Sequence, residues 1–140
     1  MTTVVEGQRR FEAPPERVFA LLTDPDVVVP AIPAVRGHTV VDADHWDAKV
    51  KPPLPLAPSI TIHFSVLRRR APEHAALRAR GGGADVTSTF DLAREGEATL
   101  MTWRTELSLS GVIARLGGPG LDAVAQRQAA RMLDAVERAL

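Results

Sequence analysis

Apolar and polar residues mostly alternate from residue 35 to about residue 109, and this period of two is typical of strands with one buried and one solvated face. The clearest runs cover residues 60–66 and 101–109, and a weaker strand is expected over residues 75–80. A first strand is predicted over residues 4–12, ahead of this region. The alternation therefore predicts an antiparallel sheet.

Two short helices are predicted directly after the first strand. Pro14 and Pro15 suit the first turn of a helix, and the apolar residues up to Leu22 give it one buried face. A second short helix fits residues 26–31. We expect the two helices to connect strands rather than to form a layer of the core.

The C-terminal segment has helical periodicity. Its apolar stripe consists of Leu121, Val124, Ala125, Ala129, Met132, Val136 and Ala139. The glycine and proline residues at 117–120 leave two starting points open, one near Val112 with a kink and one at Pro119.

This order of elements predicts an α+β fold for residues 1–140 as a single domain. A first strand, two short helices and about six further strands give a curved antiparallel sheet of about seven strands wrapped around a long C-terminal helix. The proline-rich segment 52–58 is expected to be a loop or a displaced edge, because proline cannot lie inside a sheet.

Composition narrows the classes of function. Lys plus Arg and Asp plus Glu number 17 each, so a zero net charge argues against a nucleic-acid partner. No apolar run is long enough for a transmembrane segment, and the N-terminus lacks the pattern of a signal peptide. Cysteine and tyrosine are both absent, which removes thiolate and phenol chemistry. A cytoplasmic location is therefore expected.

The chain resembles the START-like (SRPBCC, helix-grip) superfamily, and most nearly the family of the carbon monoxide dehydrogenase G subunit. The motifs that carry this resemblance are Phe11-Glu-Ala-Pro14-Pro15-Glu16-Arg-Val18-Phe19, Asp24-Pro25, Ile32-Pro33, Trp46-Asp-Ala48-Lys49-Val50 and Ile113-Ala114-Arg-Leu116-Gly117. Two positions depart from the family pattern: the region after Val50 is proline-rich instead of glycine-rich, and Gln128 replaces a residue that is more often apolar. The membrane-recruitment role of anchored family members is not carried over.

The resemblance implies a cavity between sheet and helix that holds a lipid, isoprenoid or aromatic compound. The candidate ligand-binding residues are Trp46, Ile62, Phe64, Ser88, Phe90, Trp103, Thr105, Leu107, Leu121, Gln128 and Met132. For each apolar member the alternative is plain core packing.

Gln128 is the sharpest polar candidate, because its helical position lies inside the apolar stripe. A buried amide without partners is costly, so Gln128 should bond to a ligand, a water molecule or a strand. Ser88 and Thr105 share faces with apolar neighbours and are further candidates. Arg9 shares its parity with Phe11, so it either points inward to an acidic ligand group or reaches the rim.

The histidines show no arrangement typical of a metal site or of a catalytic base. The four histidines are widely spaced along the chain, and His63 is expected to face solvent. We therefore expect no metal site, no cofactor and no catalytic residue.

Two functions remain open. The favoured one is a non-enzymatic binding or carrier protein for a hydrophobic small molecule (lipid, quinone-like or aromatic), with a redox enzyme as the partner that the resemblance implies. The alternative is an enzyme of the polyketide cyclase type acting on an aromatic substrate in the cavity. A third possibility is a pure interaction subunit with a filled core, which would show no cavity. The sequence leaves the oligomeric state open.

Overall fold

The computed structural model describes residues 2–51, 56, 58–111 and 121–140. The predictions for the proline-rich segment 52–58 and for the break at residues 117–120 lie largely or wholly outside the described residues. No helix among the described residues has the length and apolar character needed to cross a membrane.

Seven strands form one antiparallel sheet, as the alternation predicted. The strands are β1 (Thr2–Phe11), β2 (Val35–Asp42), β3 (His45–Val50), β4 (Ile60–Arg70), β5 (His74–Gly81), β6 (Ala84–Glu95) and β7 (Ala98–Leu109). Their order across the sheet is β1-β7-β6-β5-β4-β3-β2. Strands β2 to β7 are therefore joined by successive hairpins, whereas β1 pairs with the last strand.

The helices whose bounds the described residues give are α1 (Pro15–Leu22), α2 (Pro25–Val28), a 3₁₀ turn (Val29–Ala31) and α3 (Leu121–Ala139). Helix α1 begins after Pro14, and the Asp24 side chain caps α2 by accepting a hydrogen bond from the Asp26 backbone at 2.9 Å. The helix predicted over residues 26–31 is thus divided into an α-helical and a 3₁₀ part.

The short helices belong to the core, so the expectation that they merely connect strands is wrong. Val18, Leu22 and Val29 are completely buried, and α3 packs against α1, α2 and the 3₁₀ turn. Their apolar sides cover one end of the sheet together with α3.

The buried face of α3 differs in part from the predicted stripe. Ala125, Ala129 and Val136 are buried as expected, whereas Val124 and Ala139 are exposed. Leu133, which the stripe omitted, is buried. The helix is therefore rotated relative to the purely apolar stripe, and its contacts with β1, described below, fix that rotation.

Candidate functional site

The inner face of the sheet, which faces α3, brings the predicted strand residues together. The register places Trp46 opposite Phe64 and Phe90 opposite Trp103. Residues directly opposite in antiparallel strands project on the same face and contact each other. The shared faces predicted from the alternation are therefore confirmed, while a ligand-binding role for these residues stays a prediction.

The aromatic residues of the inner face differ in exposure. The rings of Trp46 and Phe64 stack with their centroids 5.9 Å apart and an interplanar angle of 16°. Trp46 and Phe90 are almost completely buried, whereas Phe64 is only half-buried. Phe64 therefore lies at the border between the closed core and accessible space.

An accessible region covers the middle of the inner face. Its half-buried strand residues are Ile62, Phe64, Val66, Val86, Ser88 and Leu107. By contrast, Val5 and Met101 are buried near the β1 edge, where α3 packs. We call this half-buried part of β4, β6 and β7 the open inner face.

Ser88 and Thr105 form a hydrogen-bonded hydroxyl pair beside the open inner face. They lie opposite each other in β6 and β7, and their oxygens are 2.9 Å apart. Ser88 is half-buried and Thr105 is buried. Two hydroxyls supply two protons and their mutual bond uses one, so the pair keeps one donor for a further acceptor.

Helix α3 is held to β1 by polar contacts. The Thr3 hydroxyl donates to Asp122, and the Arg9 guanidinium pairs with Asp134 at 2.7 Å and with Glu137. Arg9 thus points inward, as its parity allowed, and its partners are carboxylates of the protein. Burial opposes the charge of Arg9, but the hydrogen bonds that it donates to Asp134 and Glu137 outweigh that desolvation and raise its pKa.

Gln128 lies on a different side of α3 from these contacts. At 3.6 residues per turn it is about 120° around the helix from Asp122 and about 180° from Glu137. Gln128 is half-buried, and its side chain makes no hydrogen bond within the described part of the chain. The same flank carries the half-buried Leu121 and Met132. This flank therefore points away from β1 and carries an amide without a side-chain hydrogen bond to any described residue.

Trp46 carries an unsatisfied donor that the sequence did not predict. Its indole Nε1 is buried and is the one such side-chain nitrogen or oxygen without a hydrogen-bond partner among the described residues. Leaving a buried donor unpaired costs about 1–3 kcal/mol. The apolar pattern around Trp46 identified it as buried, but only the packed structure shows that no acceptor meets it.

Charged groups at inward register positions all have partners. Besides Arg9, the described strands place three cationic or titratable residues there, each against a carboxylate: His38 with Asp26, Arg69 with Asp44 and Arg94 with Glu16. Apart from these paired residues, the polar groups of the inner face described here are neutral hydroxyl, amide and indole groups.

Each of the four histidines contacts a different aspartate. The pairs are His38–Asp26, His45–Asp42, His63–Asp47 and His74–Asp91, with nitrogen–oxygen distances of 2.7–2.8 Å. The His63 side chain is largely exposed, as predicted. No group of three potential ligands that could hold a metal ion occurs among the described residues.

Two surface clefts lie elsewhere. The larger, about 650 Å³, lies beside α1 and the β4–β5 turn, and the smaller, about 390 Å³, lies beside the start of α1. Neither contains a residue of the predicted site, and the Arg94 and Glu16 side chains at the larger cleft pair with each other. We therefore assign the candidate site to the open inner face and the Gln128 flank of α3.

A curved antiparallel sheet closed by a C-terminal helix defines the START-like, helix-grip class of fold. The model of the family described as "Polyketide cyclase / dehydrase and lipid transport" matches residues 2–140, so the chain belongs to that family. No curated protein has a sequence that matches this chain.

Solved structures share the fold at low sequence identity. A conserved protein from Geobacillus kaustophilus is 18% identical, with a TM-score of 0.83 over 97% of this chain and 93% of its own. A START superfamily protein from Mycobacterium smegmatis is 13% identical, with a TM-score of 0.73 over 96% and 94%. Truncated norcoclaurine synthase from Thalictrum flavum is 12% identical, with a TM-score of 0.69 over 99% and 92%. At these identities the similarity establishes the fold alone.

Proposed function

We propose that the protein is a non-enzymatic binding or carrier protein for a hydrophobic small molecule. The observation that carries the proposal is the open inner face, where apolar strand residues stay half-buried. In a filled core such residues would be closed off by their neighbours. Gln128 on α3 is also half-buried and makes no side-chain hydrogen bond within the described residues. Membership of a family named in part for lipid transport supports the same function.

The ligand site of this proposal contains the eleven predicted residues. Trp46, Phe90, Trp103 and Thr105 form its buried floor. The half-buried members line the accessible space: Ile62, Phe64, Ser88, Leu107, Leu121, Gln128 and Met132.

An enzyme of the polyketide cyclase type is the second candidate, because the family description includes cyclases and dehydrases. General acid–base chemistry needs a titratable group within reach of the substrate. The residues named for the open inner face and the Gln128 flank include no carboxylate, histidine or lysine. This observation favours binding over catalysis.

The finer assignments belong to the same proposal. The sequence motifs support placement in the family of the carbon monoxide dehydrogenase G subunit and, with it, a redox enzyme as partner. The zero net charge supports the absence of a nucleic-acid partner, and the absence of cysteine is compatible with a cytoplasmic location. The 140 residues are proposed to act as one domain.

Native mass spectrometry of the purified protein, followed by solvent extraction, tests the binding function. We expect a defined apolar adduct on the folded protein. Quenching of the Trp46 and Trp103 fluorescence by apolar probes is the second measurement. A protein that carries no adduct and shows no quenching would contradict the proposal.

The variant Gln128→Leu tests whether the side-chain amide of Gln128 binds the ligand. If the Gln128 amide bonds to the ligand, its loss should weaken binding of the extracted compound about fivefold, as expected for one hydrogen bond. Gln126→Leu is the matched control, because Gln126 is exposed on the same helix. Unchanged affinity in Gln128→Leu would remove Gln128 from the site.

A further inference from the structure

The free donor of the Ser88–Thr105 pair indicates what the ligand must offer. The two hydroxyls satisfy each other once, and no other hydrogen-bond partner for either side chain occurs within the described residues. An unsatisfied donor is less well tolerated in a buried site than a spare lone pair. A ligand that fits here therefore presents an acceptor, such as an oxygen atom.

The arginines at inward register positions of the described strands are all ion-paired, which disfavours an ionised ligand group. The nearest cation along β1, Arg9, is held by two carboxylates of α3, and the Arg69 and Arg94 guanidiniums also have carboxylate partners. A carboxylate brought to Ser88 and Thr105 would meet one neutral hydroxyl proton, whereas these three inward arginines already have carboxylate partners. Burial of an ion without a counter-charge costs far more than one such bond returns.

The buried indole of Trp46 does not supply the contact. Its Nε1 is enclosed, and the half-buried Phe64 ring is stacked against the indole. The half-buried Ser88 and its partner Thr105 thus provide a polar contact for a ligand on the open inner face.

We propose that the ligand is a neutral molecule with a ketone or ester carbonyl, whose oxygen accepts the free hydroxyl proton of the Ser88–Thr105 pair. This inference rests on the proposed binding function and narrows its ligand class. The inference predicts that the protein binds carbonyl compounds more tightly than fatty-acid anions or plain hydrocarbons.

Three probes of matched shape test the inference by isothermal titration calorimetry with the intact 140-residue chain. They are acetylnaphthalene, naphthoate and ethylnaphthalene, which carry a neutral carbonyl, an anionic carboxylate and no oxygen. We expect acetylnaphthalene to bind about fivefold more tightly than ethylnaphthalene, the factor for one net hydrogen bond, and at least about tenfold more tightly than naphthoate.

Variants of the pair show whether the hydroxyls cause this preference. Ser88→Ala alone leaves Thr105 free to donate, and Thr105→Val alone leaves Ser88 free, so each single variant should keep the preference. The double variant Ser88→Ala/Thr105→Val should bind acetylnaphthalene and ethylnaphthalene equally well. Thr2→Val/Ser108→Ala is the matched control, because Thr2 and Ser108 form an exposed hydroxyl pair 3.1 Å apart.

The outcomes separate the two proposals. Binding of ethylnaphthalene by the double variant shows that the site remains folded. Naphthoate binding as tight as that of acetylnaphthalene, or a carbonyl preference that survives in the double variant, overturns the carbonyl inference and leaves the binding function intact. Failure of all three probes, together with the absence of an adduct in native mass spectrometry, overturns the binding function itself.

Discussion

Gly7 lies directly opposite Trp103 in the β1–β7 register, and a Cβ atom on Gly7 would come within 2.7 Å of Cζ2 of the Trp103 ring. The absence of a side chain on β1 is what allows the large ring to lie flat across its neighbour. Trp103 is buried in this position, beside Phe90 of the next strand. The packing of Trp103 at the β1 edge of the inner face therefore requires a glycine at position 7.

Gly7→Ala should destabilise the protein by about 1–3 kcal/mol, because the added methyl group forces the Trp103 ring out of its packed position. Denaturant unfolding measures the loss, and a changed Trp103 emission should accompany it. Gly37→Ala is the control, because a Cβ atom there meets nothing within 4 Å. Equal stability of the two variants would contradict the close-packing argument.

Arg9→Met should lower stability by about 1 kcal/mol, because it removes the ion pairs that join β1 to α3. The loss should shrink at high salt, since added ions screen the attraction in the wild type. Urea unfolding at low and high ionic strength measures both effects.

Arg10→Met is the matched control for the ion pairs of Arg9 with helix α3. Arg10 also pairs with two carboxylates, Glu12 and Glu95, but its side chain is more than half exposed. Its replacement should therefore lower stability less than Arg9→Met does. A larger loss for Arg10→Met than for Arg9→Met would show that the inward pair does not hold the helix.

Asp85→Asn should remove a pH-dependent contribution to stability. The hydrogen bond from Arg78 holds the pKa of Asp85 below its usual value. The contribution is therefore present above the unfolded-state pKa of about 4 and is lost as the pH falls through the lower folded-state pKa.

Urea unfolding at several pH values checks this expectation. Near neutral pH, Asp85→Asn should be about 0.5 kcal/mol less stable than the wild type, because the pair is partly exposed. The difference in stability between the two proteins should vanish in acid, well below about pH 4. Glu97→Gln, at an exposed carboxylate, is the control and should match the stability of the wild type near neutral pH. A gap that persists in strong acid would refute the role of the charge.

Thr99→Val should destabilise the protein by about 1–3 kcal/mol. The Thr99 hydroxyl is completely buried and donates to the Ala13 carbonyl at 2.7 Å, so valine would leave that carbonyl unpaired at similar volume. Thermal and denaturant unfolding give the difference. Thr99→Ser keeps the hydroxyl and should recover part of the loss; equal stability of the valine and serine variants would argue against the hydrogen bond.

The period of two predicted the inner face well, because one side of most strands is buried and the other solvated. It was weakest for β5, and the structure supplies the reason. Ala75 and Ala76 are both completely buried, so this central strand is covered on both faces and loses the alternation. Small residues in the middle of a sheet carry little periodic signal.

The rotation of α3 could not be derived from its own residues. The apolar stripe favoured burial of Val124, whereas the structure buries Leu133 and leaves Val124 about half exposed. Contacts of Thr3 and Arg9 with the helix carboxylates set the rotation, and these partners lie more than a hundred residues away in sequence. The lack of a hydrogen-bond partner for the Trp46 indole among the described residues likewise depends on tertiary packing and cannot be derived from the local sequence.

The strand order also has a kinetic consequence. The pairings from β2 to β7 join neighbours in sequence and require only short loops to close, whereas the contact of Thr2 with Ser108 spans 106 residues. Closing the longest loop loses the most chain entropy, and this loss occurs before the contacts that compensate for it can form. We therefore expect the meander from β2 to β7 to form first and β1 to dock last, carrying Gly7 and Arg9 into place as the final step of folding.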